Sequence, residues 1–277
     1  MVLLNYLLRF IDEDVPNGDL TSDSVIPDMC CRAEISSEQA GIIAGLREAE
    51  MLFSHYGVTV EAVAYDGEMV TSGENLLILR GDAKKILLVE RTALNIIGRM
   101  SGIATRTREM VNIVSAVHGH CRIAATRKTS PGFRALDKKA VQIGGGDPHR
   151  DNLSDGILIK DNHLALVSVK NAIAAARKTT LYKKIEVEVE TTDDALLAAS
   201  EGADIILLDN MNHEQVKITL DALRDNGLRD RVTIELSGGI DGTTIHDFAL
   251  LNIDVISMGA LTHTVRNFSV KLEIQPE

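Results

Sequence analysis

With 277 residues, 45% apolar and 25% charged side chains, the chain has room for one large or two ordinary domains and an ordinary globular make-up. A net charge of −11, 3% aromatics and no Trp argue against a base-stacking nucleic-acid platform and against an anionic membrane partner. Cys30, Cys31 and Cys121 fit neither a disulfide framework nor a zinc site, so a reducing, cytoplasmic setting is expected.

The opening run MVLLNYLLRFI is too short to cross a bilayer, lacks a basic n-region and cleavage site, and has the spacing of an amphipathic helix. EDVPNGDLTSD follows as a turn-rich loop, with Thr21 or Ser22 read as a helix cap rather than a phosphate contact. CRAEISSEQAGIIAG predicts two strands and LREAEMLFSHYG a helix. VTVEAVAYDGEMV, turning at Asp66-Gly67, and LLILRGD complete a small α+β unit. KKILLVERTALNIIGRM is helical, with Leu87, Leu94 and Ile97 at helical spacing, and Ser101-Gly102 reads as a joint before a second helix from Ile103 to Val117. The expected domains are therefore 1–103 and 104–277.

From Arg122 onward short apolar strands alternate with helices. RIAAT, GILIK, KIEVEVE, ADIILLD, RVTIELS and DVISMG are the strands, which predicts parallel β/α packing. No GxGxxG turn follows the first strand, so a barrel is favoured over an open dinucleotide-binding sheet; about six strands make it incomplete.

Arg122–His163 concentrates charge. Eight Lys/Arg against five Asp give it +3, so the rest of the chain carries −14. In α/β barrels function is built where the strands end. Here those ends are Thr126-Arg127-Lys128, Lys160-Asp161-Asn162-His163, Glu188 with Glu190, Asp209-Asn210, Ser237-Gly238-Gly239 and Gly259-Ala260. A charge run is commonly just a solvated surface; a titratable or anion-binding residue at almost every strand end points instead to an enzyme. The two final glycine turns suit a phosphate. Arg127, Lys128, Arg150 and Lys160 are placed to meet a second anion, with His149 as a further donor. Lys138 and Lys139, on a helix in FRALDKKAV, are read as solvated or, more speculatively, as reaching the site. Glu186, Glu188 and Glu190 share one strand face, which must meet solvent, cations or a polar ligand. Glu188 and Asp209 suit Mg²⁺ or sugar hydroxyls and an oxocarbenium-like ribose centre.

ATRKTSPGFRALDKKAVQIGGGDPHRDNLSDGILIKDNH, with SGGI, VISMGALTHTV, GDLTSD and ERTALNIIGRMSGIAT, closely resembles the quinolinate phosphoribosyltransferase family (carboxylating nicotinate-nucleotide pyrophosphorylases) over essentially the whole chain. Pro148 stands where that family usually has Asn, and Ser130 where Thr is common; with Arg150 at its usual spacing, only a local loop change is expected. The resemblance implies an N-terminal α+β sandwich and an incomplete TIM-like barrel, with the last residues returning to the first domain. It implies a head-to-tail homodimer, higher assembly being left open, in which an arginine from the partner, here Arg91, completes each site. Quinolinate contacts then fall on Arg91, Arg127, Lys128, His149, Arg150 and Lys160. The phosphoribosyl pyrophosphate side falls on Glu188, Asp209, Ser237, Gly238, Gly239, Gly259, Ala260 and Leu261. Lys128, Lys160, Glu188 and Asp209 are the implied catalytic residues, and Mg²⁺ is expected at Glu188 and Asp209 with the pyrophosphate; no organic cofactor is needed. The rivals are a paralogous phosphoribosyltransferase (the molybdenum-transport-associated relative, or one using nicotinate), a Schiff-base lyase using Lys160, and a non-catalytic sensor of phosphorylated metabolites. Pure anion binding gains nothing from Glu188 and Asp209, which weighs against the last.

Overall fold

The alternation in CCRAEISS gives strand β1 (Cys30–Ser37), with Cys31, Ala33 and Ile35 turned inward. β2 (Gly41–Ile42), β3 (Thr59–Ala62), β4 (Met69–Val70) and β5 (Asn75–Asp82) follow. The protein is described here by a computed structural model covering residues 3–117 and 120–276. Met1 and Val2, at the head of the predicted first helix, lie outside it; the rest of that run forms helix Leu4–Asp14. The next helix, Leu20–Val25, is capped by Asp19, whose carboxylate accepts from the backbone of Thr21 and Ser22 at 3.1 Å each. The cap is thus two residues upstream of the predicted pair, because an Asp carboxylate at that position reaches both orphan N–H groups.

The remaining strands are β6 (Arg122–Ala124), β7 (Ile157–Ile159), β8 (Ile185–Val189), β9 (Ile205–Asp209), β10 (Thr233–Ser237), β11 (Val255–Ser257) and β12 (Val270–Pro276). Two compact units result. One takes the chain up to Arg108, Ser130–Gly145 and the chain from Thr264 on; the other takes Glu109–Thr129 and Gly146–His263.

The first unit holds an antiparallel sheet in the order β12-β1-β5-β3 and a separate β2-β4 pair. The turn at Asp66-Gly67 forms, with Gly67 at φ 99°, yet its flanking strands part company: β3 pairs with β5 and β4 with β2. The predicted joint at Ser101-Gly102 does not exist, because one helix runs from Ala83 to Val117. Gly98 and Gly102, four residues apart on one helix face, serve close approach rather than bending. A Cβ on Gly98 would stand 2.9 Å from the Phe268 carbonyl oxygen, and one on Gly102 would overlap the Arg266 carbonyl. Ser101 is buried on the same helix, where its hydroxyl accepts from Ala44 N–H (2.9 Å) and donates to Ala44 O (3.0 Å).

Helix Arg134–Ile143 belongs to this unit too. Its fully buried Asp137 receives a two-pronged grip from Arg99 (2.8 and 2.9 Å), while burial pushes the carboxyl up from its ordinary range. Lys139 is not solvated: its ammonium is held by both oxygens of buried Glu48 at 2.8 Å and by Asp66 at 3.2 Å. Lys138 is buried outright and Lys139 is partly covered and ion-paired, which corrects the solvated reading of both.

All six parallel strands of the second unit form, in the order β6-β11-β10-β9-β8-β7. The first strand pairs with the last, as in a closed barrel, and the ring is open only between β6 and β7. This is the incomplete α/β barrel. The open edge of β6 is occupied by Asp147, whose N–H donates to Ile123 O (2.7 Å) and whose carbonyl accepts from Ala125 (2.9 Å). Aliphatic side chains such as Ile185, Val187, Ile206, Leu208, Ile234 and Ile256 fill the core. Among the described residues no helix is long and apolar enough to cross a membrane.

Candidate active site

The C-terminal ends of the six strands surround a cavity of about 270 Å³. Arg127, Lys128, His149, Arg150, Lys160, Glu188, Asp209 and Ser237, all singled out from the sequence, line it together. After β6 the chain turns through Thr126, whose hydroxyl accepts from Lys128 N–H at 3.1 Å. Thr262 pins that turn from above by donating to Lys128 O at 2.8 Å. Lys160 follows β7 and begins the short helix Asp161–Leu164, with His163 Nδ1 accepting its backbone N–H at 2.9 Å. Its ammonium is bonded to Glu188 of β8, so the base of one half of the cavity rests on an acid of the other.

Arg127, Lys128, Arg150 and Lys160 supply positive charge to the lining, Glu188, Asp209 and Glu235 supply carboxylates, and His149 stands against Glu235. Burial and the neighbouring Arg127 push the Arg150 guanidinium below its ordinary value, and the carboxylates of Glu186, Glu188 and Glu235 pull it back. Burial, reinforced by Glu188, raises the Asp209 carboxyl, against Lys160 and Lys128. A cation held between Glu188 and Asp209 would relieve that repulsion, so this all-oxygen pair fits a hard divalent ion.

The last two strands end as phosphate turns should. Gly238 (φ 95°) and Gly239 (φ 62°) form a left-handed pair after β10. Only glycine fits at 238, because a Cβ would overlap the Asn210 side chain, itself bonded to Asp209 Oδ2 at 2.7 Å. At Gly259 a Cβ would stand 3.0 Å from Lys128 Cδ and from the His263 ring. Gly238, Gly239, Gly259 and Ala260 sit beside the cavity lining rather than in it. Leu261 has its side chain in the core at 2% exposure, so any ligand contact there is through its backbone. Arg91 belongs to the other unit, where its side chain is 64% exposed and 4.0 Å from Glu90.

The glutamate face of β8 is graded rather than uniformly wet. Glu190 is exposed, Glu188 is half-buried, and Glu186 is buried against His149. Burial, then the charge of Glu235, push the Glu186 carboxyl up to about 7, with His149, Arg150 and Lys160 opposing. Glu235 of β10, which also lines the cavity, had no reading of its own from the sequence. The signal was there, since it is a carboxylate flanked by apolar residues in a parallel strand, as Glu186 is.

A family model described as quinolinate phosphoribosyl transferase, N-terminal domain, matches residues 19–101, and its C-terminal-domain counterpart matches 103–273. The chain is 44% identical to a probable carboxylating nicotinate-nucleotide pyrophosphorylase of Methanothermobacter thermautotrophicus over 99% of both chains. Among solved structures it resembles the nicotinate-nucleotide pyrophosphorylase of Ehrlichia chaffeensis (33% identity, 99% of both chains, TM-score 0.93). NadC of Streptococcus pyogenes is similarly near (36% identity, 99% of this chain and 96% of that one, TM-score 0.91). With both domain models matched in order and a cavity divided between cations and carboxylates at the strand ends, the chain belongs to the quinolinate phosphoribosyltransferase family.

Proposed function

We propose that the chain transfers the phosphoribosyl group of phosphoribosyl pyrophosphate to quinolinate and releases CO₂, giving nicotinate mononucleotide and pyrophosphate for de novo NAD synthesis. The observation that carries this reading is one cavity at the strand ends lined by Arg127, Lys128, Arg150 and Lys160 together with the carboxylates Glu188 and Asp209. Quinolinate brings two carboxylates to these cations. Its pyridine nitrogen attacks C1 of the ribose, the C1–N bond forms and the C1–O bond to pyrophosphate breaks. Glu188 and Asp209 stabilise positive charge on the ribose, and Lys128 and Lys160 stabilise the anions. The cationic ring then accepts the electron pair of the adjacent C–CO₂ bond; CO₂ leaves and the ring carbon takes a proton. No organic cofactor enters this balance.

Glu188 and Asp209 are the residues that would hold Mg²⁺; bound with the pyrophosphate, the ion neutralises charge on the leaving group. Ser237, Gly238 and Gly239, with the backbone of Gly259, Ala260 and Leu261, are the proposed phosphate turns. The working form is a homodimer in which the partner subunit's Arg91 completes the cationic lining. We place the enzyme in the cytoplasm. Support for a sequence boundary close to 103/104 comes from the two family models, one ending at residue 101 and the other beginning at 103.

The test is turnover. Purified chain with quinolinate, phosphoribosyl pyrophosphate and Mg²⁺ should release CO₂ and nicotinate mononucleotide in equal amounts, and chelation by EDTA should stop it. Product from nicotinate, with none from quinolinate, would assign the chain to the paralogous activity instead.

A further inference from the structure

Glu186 and Glu235 have no part in the chemistry above, yet they are the most deeply buried carboxylates beneath the cavity, with side chains 6% and 3% exposed. They approach one imidazole from two strands. His149 Nε2 lies 3.3 Å from Glu235 Oε2 and 3.7 Å from Glu186 Oε2. The His149 backbone is left-handed at φ 55°, a conformation that costs a non-glycine residue energy and persists only when its surroundings impose it. The Asp147 carboxylate supplies part of that imposition by accepting His149 N–H at 2.8 Å. The other oxygen of Glu186 is buried without a hydrogen-bond partner.

As structure alone this is a poor arrangement. Two carboxylates in a barrel core of Ile, Val and Leu are costly, and an apolar pair of similar volume would serve stability as well or better. What they do supply is control of a ring that lines the cavity beside Arg150. An Nε2–H committed to Glu235, with Glu186 3.7 Å away as a second negative neighbour, settles which nitrogen carries the proton and how the plane is turned. The same pair places negative charge under a site meant for a dianion, and the nearby cations Arg150 and Lys160 offset that charge.

We propose that Glu235 and Glu186 are positioning residues for the dicarboxylate substrate: they hold the His149 ring with Nε2 as the donating nitrogen, and through it fix the His149-Arg150 corner of the cavity. This rests on the quinolinate reading above. Both act through the ring, although Glu235, unlike Glu186, also borders the cavity.

Glu235→Met, which keeps the volume and removes the acceptor, should raise KM for quinolinate about tenfold or more, the scale expected when an oriented histidine loses its partner. KM for phosphoribosyl pyrophosphate and kcat should stay within about twofold, because the loss falls on ground-state binding of one substrate. Glu235→Gln retains an accepting oxygen and should recover most of the quinolinate KM. In ¹⁵N spectra of the histidine rings, the wild-type chain should show His149 protonated at Nε2 and slow to exchange, with that signal lost in Glu235→Met. Equal rises in both KM values, an unchanged quinolinate KM, or a wild-type His149 bare at Nε2 would each overturn the proposal. The ring spectrum needs no variant, so it decides even if Glu235→Met fails to fold. Absence of wild-type turnover on quinolinate would instead remove the substrate reading while leaving the ring result standing.

Discussion

Arg150→Met tests the cationic lining of the cavity most directly. The guanidinium is partly withdrawn from water, and Arg127 repels it. A carboxylate arriving between the two satisfies both, and a charge-assisted contact of this kind contributes about 1.5–3 kcal/mol. Deleting Arg150 forfeits that contribution but also relieves the repulsion on Arg127. The net loss should therefore lie toward the lower end, about 1.5–2.5 kcal/mol, or roughly 10–70-fold in KM for quinolinate. The grip is present before and during reaction, so kcat should change less than KM. Arg150→Lys should fall between, since an ammonium keeps the charge and loses the fork. Initial rates of CO₂ release at varied quinolinate, with the other substrate saturating, measure this. A quinolinate KM within about twofold of wild type, or equal rises for both substrates, would refute the assignment of Arg150 to the dicarboxylate.

Other expectations concern the scaffold. Gly102→Ala must displace the Arg266 carbonyl, whose carbon would lie 3.1 Å from the new Cβ, and should destabilise by about 1–3 kcal/mol, whereas Gly156→Ala, with open space around it, should be near neutral in the same thermal melt. Ellman titration of the native protein should find Cys30 alone reactive, because Cys31 is buried and burial, with Asp254, pushes the Cys121 thiol up to about 12; a second fast thiol would contradict this. At Asp204 burial raises the carboxyl, but hydrogen bonds from Arg177 and Ile185 N–H with the charges of Arg177 and Lys184 outweigh it and leave it below its ordinary value. The folded state therefore binds that proton less readily than the unfolded one, and its stabilisation is present above the ordinary carboxylate range and lost as pH falls through the lowered value. Asp204→Asn should cost about 1 kcal/mol in urea unfolding at neutral pH, and the difference from wild type should shrink in acid.

Legibility from sequence followed locality. All six barrel strands could be read because each is a short apolar run with polar residues at or soon after its end, and among these Lys128, Lys160, Glu188 and Asp209 line the cavity. What failed depended on partners distant in the chain. Ser101-Gly102 looked like a joint because glycine lowers helix propensity; its use is decided by Arg266, more than a hundred residues later. Lys139 looked like a solvated helix residue because nothing nearby announces Glu48 and Asp66. Arg91 carries no local mark of a ligand contact at all: it is an exposed helical arginine, and only the resemblance singled it out.

The last strand has a consequence for synthesis. β12 is the edge strand of the first unit's sheet and pairs with β1 along its length, from Cys31 opposite Pro276 to Ser37 opposite Val270. While the chain is being made, β1 can pair with β5 but has nothing on its other side until β12 emerges, after every strand of the barrel. A nascent chain therefore carries an open sheet edge from the synthesis of β1 until that of β12, by which point every strand of the catalytic unit has been made. The catalytic unit can form first, and the sheet at the beginning of the sequence is the last to be closed.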